Sequence, residues 1–179
     1  MIDYDALIAM AKEAGFTHAA PLDAATIELK PEVRQMCARN SCGMYGKRWS
    51  CPPGCGELEE LRQRVARYSR GLLVQTVGQL EDDFDVDTMM ETEKAQKANM
   101  QAMQKKLLER YPNALAIGAG CCTHCKTCTY PDAPCRFPDK QIASMEAYGM
   151  LVMEVCQRNQ MKYYYGPCTL AYTGCFLIE

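Results

Sequence analysis

Twelve of the 179 residues are cysteine, and eight of the twelve fall into two groups of four. The first lies in CARNSCGMYGKRWSCPPGC (37–55) and reads C-x4-C-x8-C-x3-C through Cys37, Cys42, Cys51 and Cys55. The second lies in CCTHCKTCTYPDAPCRFPDK (121–140) and reads C-x2-C-x2-C-x6-C through Cys122, Cys125, Cys128 and Cys135. Thiolates are soft ligands suited to zinc and to iron–sulfur clusters. In a reducing compartment such groups bind metal or do redox chemistry; in an oxidising one they pair as disulfides. Grouping by fours favours metal over a disulfide framework.

The second group bears most on which metal. A lone zinc ion takes four sulfurs at about 2.3 Å, usually from two separate C-x2-C pairs. In C-x2-C-x2-C the middle cysteine belongs to both pairs, which suits one ion poorly. A cubane cluster has a separate iron at each corner, so one tight loop can supply three irons while Cys135 returns for the fourth. The first three positions match the bacterial ferredoxin run and the fourth is displaced. Zinc remains the alternative. Cys121 is a packed or redox-sensitive neighbour, since adjacent residues rarely aim at one cluster. His124 reads as a surface or supporting residue rather than a ligand. Lys126 and Arg136 flank cysteines, where they either balance a cluster's negative charge or are simply solvated.

The first group alone closes a zinc site as readily as a cluster. Pro52 after Cys51 echoes the cysteine–proline step at a cluster ligand, and a chain that supplies one cluster is a candidate to supply two. Trp49 either shields a cluster from water or is plain core. Gly43, Gly46, Gly54 and Gly56 allow close backbone approach.

The elements that must carry these loops follow from periodicity. Residues 3–14 predict an amphipathic helix ended by Gly15, with Ile2, Leu7, Ile8, Met10 and Ala11 on one side. FTHAAPL (16–22) predicts a strand, and Pro31 opens a helix over 31–37. Residues 57–69 predict a helix and GLLVQTVG (71–78) a buried strand. Asp85 or Asp87 caps a long helix to about Arg110, with Met89, Met100, Met103 and Leu107 as its buried stripe. ALAIGAG (114–120) predicts a strand leading into the second thiol group. Residues 144–159 predict a helix weakened at Gly149. MKYYYG and YTGCFLIE predict a closing hairpin, with Cys168 and Cys175 as two buried thiols facing each other and Cys156 buried in the preceding helix. The expectation is an α/β fold: a single domain over 1–179 with a mixed sheet of about five strands, flanked by helices and carrying two cysteine-rich loops.

Composition narrows the function. The apolar share is 48% and the charged share 23%, ordinary for a soluble globular chain. A net charge of −2 gives no electrostatic footprint for nucleic acid and no polybasic face for a membrane. Arg62, Arg64, Arg67 and Arg70 alternate with Glu57, Glu59 and Glu60, the pattern of a solvated helix face. Asp3 and Asp5 sit where a signal peptide needs positive charge, and no apolar run reaches membrane-spanning length. A cytoplasmic location is expected.

Three segments together, CGMYGKRWSCPPGC, CTHCKTCTYPDAPCRFPDK and SMEAYGM, resemble the prokaryotic family of predicted cysteine-rich metal-binding proteins. The resemblance spans roughly residues 30–178. It implies metal ligands at Cys37, Cys42, Cys51, Cys55, Cys122, Cys125, Cys128 and Cys135 and an anaerobic source, and it supplies no substrate. Cys121, Cys156, Cys168 and Cys175 are extra to that pattern. The leading reading is an electron carrier with two 4Fe–4S clusters and a redox partner protein. An iron–sulfur reductase acting on a small molecule is the second, with Tyr45, Lys47, Tyr130 and Arg136 as candidate contacts. There is no Gly-x-Gly-x-x-Gly fingerprint and no P-loop, and His18 and His124 are the only histidines. The third reading is a non-redox module with two structural zinc sites.

Overall fold

The computed structural model describes residues 2–179. Its first helix, α1 (Tyr4–Ala14), starts where the Asp3 carboxylate accepts the Ala6 N–H at 3.0 Å and ends at Gly15, whose φ of +104° is left-handed. Strand β1 (His18–Asp23) follows, then α2 (Pro31–Ala38) and α3 (Leu58–Val65), with the first thiol loop between these helices. Next come β2 (Arg70–Gln79), α4 (Val86–Arg110) and β3 (Leu115–Gly118). The second thiol loop leads to β4 (Ala143–Ser144), α5 (Val152–Arg158) and β5 (Thr169–Leu177).

The five strands form one mixed sheet in the order β1-β2-β5-β3-β4. Every pairing is antiparallel except β3 with β4. Strand alternation sends side chains to opposite faces, and that sorts the core into two layers. Leu72, Val74 and Phe176 join Leu7 of α1 and Met100, Met103 and Leu107 of α4 on one face. Leu73, Cys175 and Leu177 join Leu61 and Val65 of α3 and Val155 and Cys156 of α5 on the other. Both faces are covered, which is why β2 reads as a continuous apolar run. Among the described residues no helix is long and apolar enough to cross a membrane.

The N-terminal half matches expectation closely. In α4 the buried stripe runs Thr92, Gln96, Met100, Met103, Leu107, so its upper half is polar and Met89 stays half exposed. Gln96 is held there by Thr76, whose hydroxyl donates to its Oε1 at 2.6 Å. The arginine-rich helix is more than a solvated face. Arg62 donates to the Leu29 carbonyl at 2.9 Å and Arg64 to the Tyr148 hydroxyl at 3.2 Å.

Two expectations fail in the C-terminal third. No helix runs from 144 to 159. Ser144 ends β4, its hydroxyl accepts the Ala147 N–H at 3.0 Å, and Gly149 turns the chain at φ +87°. The Gly149 carbonyl accepts the Lys30 N–H at 2.7 Å, so this turn fastens the entry to α2. Met145, Ala147, Tyr148 and Met150 are all buried at a spacing that imitates a helix. Only α5 is helical.

There is no closing hairpin either. Strand β5 pairs with β2 along its whole length and with β3 only at its last three residues, 175–177, and residues 161–166 form no strand against it. That segment covers the sheet instead: Tyr165 donates to Gln75 Oε1 at 2.7 Å and stacks on His18 at 4.6 Å. The fifth strand is thus the two-residue β4. Cys168 and Cys175 do not form a facing buried pair. Cys168 is half-buried in a turn at φ +53°, and Cys175 lies in the core, close enough to Cys156 to feel its charge.

Burial pushes the Cys175 thiol up from its ordinary value of 9.0 to about 12. The folded state therefore prefers the neutral thiol. The stability this confers is complete below about pH 9 and is lost as pH rises from 9 towards 12. Urea unfolding in reductant across that range is expected to show a steeper alkaline loss for the wild type than for Cys175→Ala, whatever the offset between them at neutral pH.

Candidate metal centre

Cys37 sits on the last turn of α2, and the chain then turns repeatedly through residue 56 without a regular element. Short hydrogen bonds hold the loop. The Gly46 N–H reaches the Pro52 carbonyl at 2.8 Å, and the Cys55 N–H reaches the Cys51 carbonyl at 3.0 Å. Cys51 and Cys55 are buried, Cys37 is half-buried and Cys42 is exposed. They are electrostatic neighbours: charge on Cys42 or Cys55 is felt at both Cys37 and Cys51.

The second loop leaves β3 and folds on itself. The Ala133 N–H meets the Thr129 carbonyl at 3.0 Å and the Thr129 hydroxyl meets the Pro134 carbonyl at 2.8 Å. Cys122, Cys125, Cys128 and Cys135 line one small cavity, as the spacing predicts, and each is half-buried. Trp49, Ser50 and Gln141 line it too, so the first loop forms part of its wall.

Four hydrogen bonds lace the loops together. Ser50 Oγ accepts the Cys122 N–H at 2.9 Å, and Arg48 donates to the Cys122 carbonyl at 2.9 Å. Trp49 Nε1 donates to the Ala133 carbonyl at 3.0 Å, and Gln141 Nε2 donates to the Trp49 carbonyl at 2.7 Å. Trp49 also meets the Tyr130 ring edge-on at 4.9 Å. Two segments about seventy residues apart in sequence thus make one body. Cys121, next to the laced Cys122, lies close enough to Cys51 for its charge to act there.

Desolvation raises the Cys37 and Cys55 thiols and lifts Cys51 to about 11. A metal must displace those protons to use the sulfurs. Arg34 opposes the shift at Cys55. Its guanidinium donates to Cys55 Sγ at 3.2 Å, to the Ala147 carbonyl at 2.5 Å and to the Gly56 carbonyl at 2.9 Å. One side chain therefore ties α2, the first loop and the 144–150 turn together.

Arg34 escaped the sequence reading, although it sits three residues before Cys37 on the same helix face. Ser50, Arg48 and Gln141 escaped too, because their partners are distant in the chain. Of the flanking charges, Arg136 donates to the Thr127 carbonyl at 2.9 Å within its own loop. His124 meets Phe137 edge-on at 4.6 Å and borders the thiol cavity. Among the candidate substrate contacts, Tyr130 is wedged against Trp49, and Tyr45 and Lys47 are exposed.

Among the described residues no three Cys, His, Asp or Glu side chains form a ready-made single-ion site. The donor set is nevertheless right for a thiolate-bound metal: four sulfurs round one cavity, and four more as neighbours in a loop fastened to it.

An open mixed sheet carrying two laced cysteine loops defines a cysteine-rich α/β protein of metal-binding character. The chain belongs to the family described as predicted metal-binding protein (DUF2284), whose model matches residues 20–178. No curated protein and no solved structure matches it.

Replacing Arg34 with Gln removes the cation that lowers the Cys55 thiol, so Cys55 is expected to hold its proton to higher pH. In metal-free protein the Cys55 alkylation rate at fixed pH, followed by mass spectrometry, should fall severalfold. Loss of the bonds to Ala147 and Gly56 should cost about 1–3 kcal/mol of stability. An unchanged Cys55 rate would contradict the assigned contact.

Proposed function

We propose that the chain binds two 4Fe–4S clusters and passes single electrons between partner proteins. Cys37, Cys42, Cys51 and Cys55 would hold one, and Cys122, Cys125, Cys128 and Cys135 the other. Bound there, such clusters supply one-electron redox chemistry at potentials set by hydrogen bonds to sulfur and by exposure. The observation that carries the reading is the lacing of the loops through Ser50–Cys122 and Trp49–Ala133, which keeps two soft-donor sets side by side. The chain's own part is mechanical and electrostatic. Trp49 and Phe137 wall the second cavity, and Arg34 places positive charge on Cys55 Sγ, favouring a more reduced state. Cys42 is the exposed member of the first group, and in this reading a redox partner would dock near it. The cytoplasm of an anaerobe would suit this chemistry.

One observation favours a second reading, a reductase acting on a small molecule. A cavity of about 570 Å³ borders Cys55 and is lined by Arg64, Tyr148 and Gln104.

Purification without oxygen, followed by iron, sulfide and zinc analysis, tests the cofactor. About eight irons and eight sulfides per chain are expected. About two zincs without sulfide would favour the structural zinc module instead.

A further inference from the structure

The cavity beside Cys55 opens between α3, the end of α4 and β3. Its volume of about 570 Å³ is ordinary for a small-molecule site. Its lining is more polar than apolar: Leu108 and Leu115 are its large aliphatic side chains, and Arg64 and Tyr148 bring donors. Arg64 spends one N–H on the Tyr148 hydroxyl, at 3.2 Å. It pairs with no carboxylate among the described residues, whereas Arg62, two positions earlier, pairs with Glu59 at 3.4 Å. A guanidinium has five N–H donors in a planar fork, so most of Arg64's capacity is uncommitted.

The buried Tyr148 hydroxyl accepts from Arg64, which leaves its own proton to donate. Asp139 also lines the cavity; its backbone carbonyl accepts from Gln104 Nε2 at 3.2 Å, and its carboxylate forms no ion pair with Arg64, so the anionic head is assigned to the Arg64–Tyr148 end. An exposed guanidinium without an ion-pair partner, next to a phenolic donor and in one lining with two leucines, matches one ligand chemistry. It suits a carboxylate on a compact hydrocarbon body: charge-assisted bonds hold the head and apolar contact holds the rest.

We propose that this cavity binds a small organic carboxylate, its head on Arg64 and the Tyr148 hydroxyl and its body against Leu108 and Leu115. The proposal rests on the second reading above, in which the chain takes a small molecule beside Cys55, and it names that molecule's class. Arg64 is a binding residue here, and Tyr148 orients it.

Benzoate is the probe, titrated by NMR into the full chain purified without oxygen. Saturable binding is expected. Arg64→Gln should weaken it by about tenfold or more, the usual effect of losing a charge-assisted bond. Arg64→Lys should fall between, restoring charge without the fork. Arg67→Gln changes net charge equally on the same segment and should leave binding as it is. Benzyl alcohol, with a similar body and no charge, should not compete. Absence of saturable binding, equal affinity of wild type and Arg64→Gln, or equal affinity for benzyl alcohol would each overturn the proposal. Metal content is read on the same samples. Arg64-dependent binding in an iron-free chain would leave this site standing and remove the cluster reading, and an iron-loaded chain that ignores benzoate would do the reverse.

Discussion

The interaction on which the candidate metal centre depends is the lacing of two distant loops by a few short hydrogen bonds. Ser50 accepts the backbone of Cys122, Arg48 donates to the same residue's carbonyl, and Trp49 and Gln141 close the contact on either side. Each loop alone has little regular structure and few apolar anchors. Joined, the first loop supplies wall for the second loop's thiols, and polar backbone groups that would otherwise need water find partners in the opposite loop. The side chain between them is Trp49, whose ring packs while its N–H bonds, so one residue gives both contact area and direction.

The sheet makes this arrangement possible by holding the loops' roots rigid. Strand β3 delivers the second loop from a position between β5 and β4, where the chain cannot move without opening the core. The first loop hangs between α2 and α3, and α2 is tied down at its start by the Gly149 carbonyl and along its length by Arg34. Arg34 deserves comparison with the lysine and arginine that flank the second group. Those are conspicuous in sequence and lie at the surface, whereas Arg34 is partly buried and touches sulfur. A cation at 3.2 Å from a thiol in a desolvated site acts far more strongly than one in water.

Much of this was legible from residue order. The cap at Asp85, the stop at Gly15 and the apolar run of β2 are local signals, and the structure honours them. The grouping of Cys122, Cys125, Cys128 and Cys135 round one cavity was legible for the same reason, since their spacing is short. What failed was non-local. Residues 145–150 have helical burial spacing, but Gly149 and Ser144 turn the chain so that it can hold Lys30. The tyrosines of 161–166 suit a strand, yet Tyr165 is drawn to Gln75 and His18, partners some ninety or more residues back in the chain. Arg34, Ser50 and Gln141 became visible only when α2 and the two loops were in place, because a hydrogen-bond partner seventy or more residues away leaves no mark in sequence.

The central claim is that two polynuclear centres stand as close neighbours in one laced body. Electron paramagnetic resonance of the dithionite-reduced chain tests it most directly, because two adjacent reduced clusters broaden and split each other's signals. The account predicts a complex, interaction-broadened spectrum in the wild type that collapses to one simple signal when Cys125→Ser disables the second group. A silent spectrum, or two sharp signals indifferent to that substitution, would contradict it.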